Sequence, residues 1–105
     1  MGSGGTKVVH VPELATETKT RNVPMYRVLL HNDDVTPMDF VVFILSEIFR
    51  KEFKAAFNIM LEAHANKVAL IVIEPLERAE FHAEQVKSLA RPRLFPLTVT
   101  YEPEE

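Results

Sequence analysis

The 105 residues contain no cysteine. That excludes a disulfide framework and a thiolate metal site, and it fits a reducing compartment. Glycine is nearly as scarce: Gly2, Gly4 and Gly5 all precede Lys7, so no glycine-rich loop can cradle a phosphate in the body of the chain. The serines are Ser3, Ser46 and Ser88, and none stands in a nucleophile elbow. The longest apolar runs, such as Val68 to Ile73, are far too short to span a bilayer. The N-terminus lacks the basic-then-apolar pattern of a signal peptide. Positive charge is not in excess either; the net charge of −3 removes the electrostatic case for a nucleic-acid binder.

What remains is 47% apolar, enough for one modest core in one domain. Residues 1–23 show little periodicity, with Val8, Val9, Val11 and Leu14 as their apolar anchors. They read as a flexible extension, ahead of a domain over 24–105. Alternation in MYRVLLH predicts a strand at about 25–31. A helix over about 37–50 follows, with Val41, Ile44, Leu45 and Ile48 on one face. Thr36 suits its N-cap, Pro37 its first position, and Asp39 the third position of a capping box. In KEFKAAFNIMLEAHAN, the residues Phe53, Ala56, Phe57, Met60, Leu61 and His64 keep unbroken helical spacing. The run KVALIVI reads as a central strand covered on at least one face by helices. A third helix opens at Pro75, carries Ala79, Ala83, Val86 and Ala90 on one stripe, and is stopped by Pro92. PLTVTYE alternates as an amphipathic last strand. The expected fold is α+β, a three-stranded antiparallel sheet packed against three helices in the order β-α-α-β-α-β.

Chemistry concentrates at His31-Asn32-Asp33-Asp34-Val35-Thr36-Pro37-Met38, an acceptor-rich corner set between a strand and an oily helix. Asn and Asp are ordinary turn residues, and acidic groups near a helix start are favourable in themselves. His64, four residues after Met60 on an apolar face, fits a satisfied boundary histidine as well as a binding group. Met38 and Met60 fit core filler, or a surface that accepts variable apolar groups. Asp33, Asp34 and His64 are types that ligate metals, but no H-x-x-x-H pair or ligand-spaced cluster accompanies them. No catalytic residue, metal or cofactor is assigned, and an enzyme is not expected.

Taken together, MYRVLLHNDDVTPMDFVVFILSEIF, then IMLEAH, then FPLTVTYE resemble ClpS. This is the adaptor family that brings N-end-rule substrates to an AAA+ unfoldase and its protease. The resemblance covers about 25–103, and its specific part is the NDDxTPMxFV core joined to MLxxH. It implies that Asn32, Asp34 and His64, with Asp33 flanking, hold the free α-amino group of a substrate's first residue. It implies that Thr36, Pro37, Met38, Val41, Met60, Ala63 and Leu97 line or border a hole for that residue's side chain, typically Leu, Phe, Tyr or Trp. It further implies a monomer, a ClpA- or ClpC-type unfoldase N-domain as partner, contact to that partner through Glu77 and His82, and the extension 1–23 as a delivery tail. The implied location is bacterial cytoplasm, ahead of plastid stroma.

Two other classes stay in view. One is an interaction domain without amine specificity, as in ribosomal stalk C-terminal domains, which share a broadly similar architecture. Such a domain has no reason to gather Asn32, Asp34 and His64 around one apolar hole. The other is a small metal-dependent hydrolase, which requires tight metal binding.

The chain departs from the family pattern in places. Lys67 stands near a position where many members have glycine, and His82 where a lysine often contributes. LERAEFHAEQ and ARPRLFPL replace the family's usual stretches. Ala63 stands where many members carry valine; two fewer methyl groups should enlarge the hole. Binding of peptides that begin with Leu, Phe, Trp, Ile and Val is then expected to favour the larger aromatics, or to reject β-branched residues less strongly. Leu as the single best ligand with Ile strictly excluded would count against this.

Overall fold

The computed structural model describes residues 23–105. The reading of 1–23 as a delivery extension, with its anchors Val8, Val9, Val11 and Leu14, lies outside those residues apart from Val23. In chain order the elements are β1 (Met25–His31), α1 (Met38–Glu47), α2 (Phe53–Asn66), β2 (Val68–Pro75), α3 (Leu76–Ala90), a 3₁₀ turn (Arg91–Arg93) and β3 (Thr98–Pro103). The three strands form one antiparallel sheet in the order β2-β1-β3. This is the α+β arrangement expected from the periodicities.

The core forms where the inward faces of sheet and helices meet. Val28 and Leu30 of β1 are buried against Val41, Ile44 and Leu45 of α1, Ala56 and Met60 of α2, and Ala79 and Val86 of α3. Small residues on α2 and α3 (Ala56, Ala63, Ala79, Ala83 and Ala90) let both helices lie close to their neighbours. α3 begins behind Pro75 and ends at Ala90, with Pro92 in the 3₁₀ turn beyond.

β2 is an edge strand, not the central one; β1 holds the centre and pairs on both sides. The continuous apolar run misled because the β1–β2 register slips between Val28 and Leu29. Val28 faces Val72, Leu29 faces Leu70, and Ile71 is the extra residue. A bulge of this kind switches the phase of alternation. Ala69 and Ile71 are buried on one side of it, and Glu74 on the other, while Val68 and Leu70 stay partly open to solvent.

Three further expectations change. α1 starts at Met38, behind Pro37 as its N-cap, and no side chain caps it. The Pro37 carbonyl accepts from the N–H groups of Phe40 (3.1 Å) and Val41 (3.2 Å), while Thr36 points its hydroxyl elsewhere. The helix also ends at Glu47 rather than near 50, because Arg50 turns left-handed at φ 59°. On α2 the apolar stripe is not all core: Ala56, Met60 and Ala63 are buried, but Phe53, Phe57 and Leu61 are exposed.

The scarcity of glycine has a structural counterpart. Among the described residues three adopt positive φ, and all carry side chains: Arg50, Lys67 and Leu94. Lys67 closes α2 at φ 76°, its N–H donating to the Ala63 carbonyl at 2.7 Å. Helices commonly end on such a residue, and glycine is the usual occupant. A residue with a Cβ loses roughly 1–2 kcal/mol there. Lys67→Gly is therefore expected to raise stability by about 0.5–1 kcal/mol, after the larger unfolded-state entropy of glycine is deducted. A thermal melt checks this: a midpoint a few degrees higher is expected, and a lower one would show that the Lys67 side chain holds the helix end.

Candidate functional site

β1 carries the chain into the core and then out of it at His31, after which the backbone turns sharply. Asp33 makes that turn. Its Oδ1 accepts the Val35 N–H at 2.8 Å and the Thr36 N–H at 2.6 Å, and its Oδ2 accepts the Thr36 hydroxyl at 2.9 Å. An aspartate that bonds its own downstream backbone is a turn former by mechanism. Both carboxylate oxygens of Asp33 are engaged inside the loop, and Thr36 is drawn inward until it is buried.

The loop is also tied across the fold. The Asn32 N–H donates to the Lys67 carbonyl at 3.0 Å, which fastens the turn to the C-terminal end of α2. On α2, Met60, Ala63 and His64 share one face through their three- and four-residue spacing. Met38 and Val41 come from the start of α1. Leu97, fully buried, closes the floor just before β3.

These pieces enclose a cavity of about 160 Å³. An apolar cavity of about 150 Å³ is enough to take a benzene ring. Asn32, Asp33 and Asp34 line it from the loop, and Met38, Val41, Met60, Ala63 and Leu97 supply its apolar wall. Thr36 and His64 complete the ring of residues named from sequence. Pro37 is not in this wall. It borders instead a shallow groove with Asp39, Phe40, Phe43, Arg93 and Phe95.

Two lining residues escaped the sequence reading. Leu30 is buried, and its inward phase at the last turn of β1's alternation was a usable signal. His31 borders the cavity while its Nε2 lies 2.7 Å from the Thr100 hydroxyl, a cross-strand contact that no local pattern announces.

The polar side of the cavity is unevenly engaged. Asp33 is consumed by the turn. Among the described residues, the side chains of Asn32, Asp34 and His64 make no hydrogen bond, and all three residues are exposed. A carboxamide oxygen, a carboxylate and an imidazole nitrogen thus stand beside an apolar hole with no partner among the described residues. That combination suits a ligand with a cationic donor head and an apolar side chain.

Glu77 and His82 contribute nothing to this cavity; both lie on α3. Glu77 is exposed. His82 is turned inward: its Nδ1 lies 2.8 Å from the Glu74 carboxylate, and its ring packs 4.7 Å from Phe49 and 5.9 Å from Phe81. The bulge in β2 places Glu74 on the buried side, where a carboxylate needs a partner, and His82 supplies it.

The chain matches the family model of the ATP-dependent Clp protease adaptor protein ClpS over residues 21–100. It is 45% identical over 91 residues to the ClpS adapter of Roseobacter denitrificans, covering 87% of this chain and 80% of that protein. It is 46% identical over 95 residues to the ClpS adapter of Hyphomonas neptunium, covering 89% and 80%. Among solved structures it resembles Agrobacterium tumefaciens ClpS2 bound to L-phenylalaninamide. The TM-score is 0.75 at 36% identity, over 77% of this chain and 98% of that one. The chain belongs to the ClpS family of Clp protease adaptors.

The turn generates its own test. Asp33→Ala removes the acceptor for two backbone N–H groups and one hydroxyl, and is expected to destabilise the domain by about 1–3 kcal/mol. Asp33→Asn, which keeps one acceptor oxygen, should recover part of that loss. Urea denaturation of the three proteins decides it; equal midpoints for Asp33→Ala and the parent would show that the turn holds without the carboxylate.

Proposed function

We propose that this chain binds the N-terminal residue of substrate proteins when that residue is bulky and hydrophobic (Leu, Phe, Tyr or Trp) and its α-amino group is free. It then passes the bound substrate to a ClpA- or ClpC-type unfoldase. The observation that carries this reading is the pairing of three unengaged acceptors, Asn32, Asp34 and His64, with an apolar cavity wide enough for one aromatic ring. Support comes from the related ClpS2, whose ligand is a single amino-acid amide with a free amine and a phenyl ring.

The chemistry divides cleanly. An α-ammonium has donors and no acceptor, so it wants a carboxylate, a carboxamide oxygen and a neutral imidazole nitrogen. Each charge-assisted hydrogen bond contributes about 1.5–3 kcal/mol. Burial of a Leu or Phe side chain adds about 1.5–3 kcal/mol. Less the cost of association, the total lies near −8 kcal/mol, a micromolar complex. Asp33 acts here by shaping the loop, since its oxygens are already taken. Charge and shape are read at once, so an internal residue, which has no ammonium, is ignored.

In the hand-over step, Glu77 offers an exposed carboxylate on α3 to a basic partner. His82, held against Glu74, backs that surface more than it reaches from it. Delivery by the N-terminal extension rests on its position in the family pattern.

Fluorescence anisotropy with two labelled peptides tests the pocket, one with free N-terminal Phe and the other its N-acetylated twin. Micromolar binding of the free form alone is expected. Asp34→Ala should abolish it, and His64→Ala should weaken it about tenfold or more, the loss of one charge-assisted bond. Equal binding of both peptides, or of neither, would reduce the domain to a plain interaction module.

A further inference from the structure

Resting on that reading of the cavity, we infer that the chain has a second, apolar subsite that takes the third residue of the bound N-terminal peptide. The subsite is the groove between α1 and α2. Its walls are Met38, Val42 and Phe43 on one side and Phe53, Phe57 and Met60 on the other; Asp39 is its one charged lining residue. Three of these phenylalanines are conspicuously open: Phe53 is 69% exposed, Phe43 46% and Phe57 40%. The rings of Phe53 and Phe57 stack at 5.9 Å and 23°, one helical turn apart. An apolar cluster of this kind at a surface marks a binding region rather than core.

The groove is continuous with the cavity. Met38 and Met60 line both, so their flexible, polarizable side chains form the partition. A ligand that fills the cavity with its first side chain must leave past these walls. Along α2 the order is His64 at the acceptor corner, Met60 at the hole, then Phe57 and Phe53 in the groove. With a rise of about 1.5 Å per residue, Phe57 lies roughly 4.5 Å and Phe53 roughly 10.5 Å beyond Met60 along the helix. An extended peptide advances about 3.3 Å per residue, and alternate side chains face the same way. The third side chain therefore falls about 6.6 Å on from the first, on the same side, between Phe57 and Phe53. The second side chain points outward to solvent. An apolar third residue gains burial there, whereas an acidic one meets Asp39 and gains none.

The test uses the full chain and labelled peptides beginning Phe-Ser-Leu, Phe-Ser-Ser and Phe-Leu-Ser, each free and N-acetylated, read by fluorescence anisotropy. Leu at the third position is expected to tighten binding about five- to tenfold over Ser, as half-burial of the side chain implies. Leu at the second position should change little. In the double variant Phe53→Ser/Phe57→Ser, the free Phe-Ser-Ser peptide should bind as before while the advantage of third-position Leu disappears. Both phenylalanines are exposed, so the fold should survive; a thermal melt confirms it.

Free-amine dependence with equal affinity for Leu and Ser at the third position would overturn the subsite and leave the pocket standing. Loss of free-amine dependence would overturn both. Sedimentation velocity completes the set: a parent that self-associates, with a double variant that does not, would assign the groove to a second copy of the chain and overturn the subsite.

Discussion

One backbone hydrogen bond holds the site together. The Asn32 N–H reaches the Lys67 carbonyl at 3.0 Å, joining the end of β1 to the end of α2. It carries the β1–β2 ladder one step past the His31–Val68 pair, and so fastens the loop that bears Asn32 and Asp34 to the helix end that bears His64. The bond depends on Lys67 adopting a left-handed conformation, which turns the chain from α2 into β2. It depends equally on Asp33, whose three internal hydrogen bonds fix the course of the loop. The acceptors that face solvent are thus placed by groups that face inward, and rigid support of this kind is what lets a small site be specific.

The division of labour between two adjacent aspartates is the clearest lesson of the corner. Asp33 and Asp34 are identical in type and neighbours in sequence, yet one is used up in folding and the other is available to a ligand. Folding took the carboxylate that could reach its own downstream amides, as turn chemistry dictates. No charge count distinguishes them. The difference appears when each oxygen is followed to its partner.

Much of the architecture was legible from spacing. Val41, Ile44, Leu45 and Ile48 were expected on one helix face and are all buried; so are Ala79, Ala83, Val86 and Ala90. The family resemblance brought loop, helix and Leu97 to one cavity, which local pattern alone could not do. What stayed hidden has physical causes. A bulge reverses inside from outside partway along β2, so an uninterrupted apolar run belonged to an edge. Thr36 looked like a helix cap, but its hydroxyl turns back to donate to Asp33, and Pro37 takes the N-cap position. Phe53, Phe57 and Leu61 kept perfect helical spacing, yet α2 presents Ala56, Met60 and Ala63 to the core. Periodicity reports that a face is apolar; it does not report what covers it.

The bulge at Ile71 has a bearing on life in a crowded solution. β2 is apolar and borders the sheet, and a long, flat, apolar edge invites pairing with another chain. An irregular edge is a poor template, because a bulge bends the strand and increases its twist, so an incoming regular strand cannot keep register past it. The residue that confuses the pattern also spoils the match for a stranger. A small domain gains from an edge that other chains cannot extend.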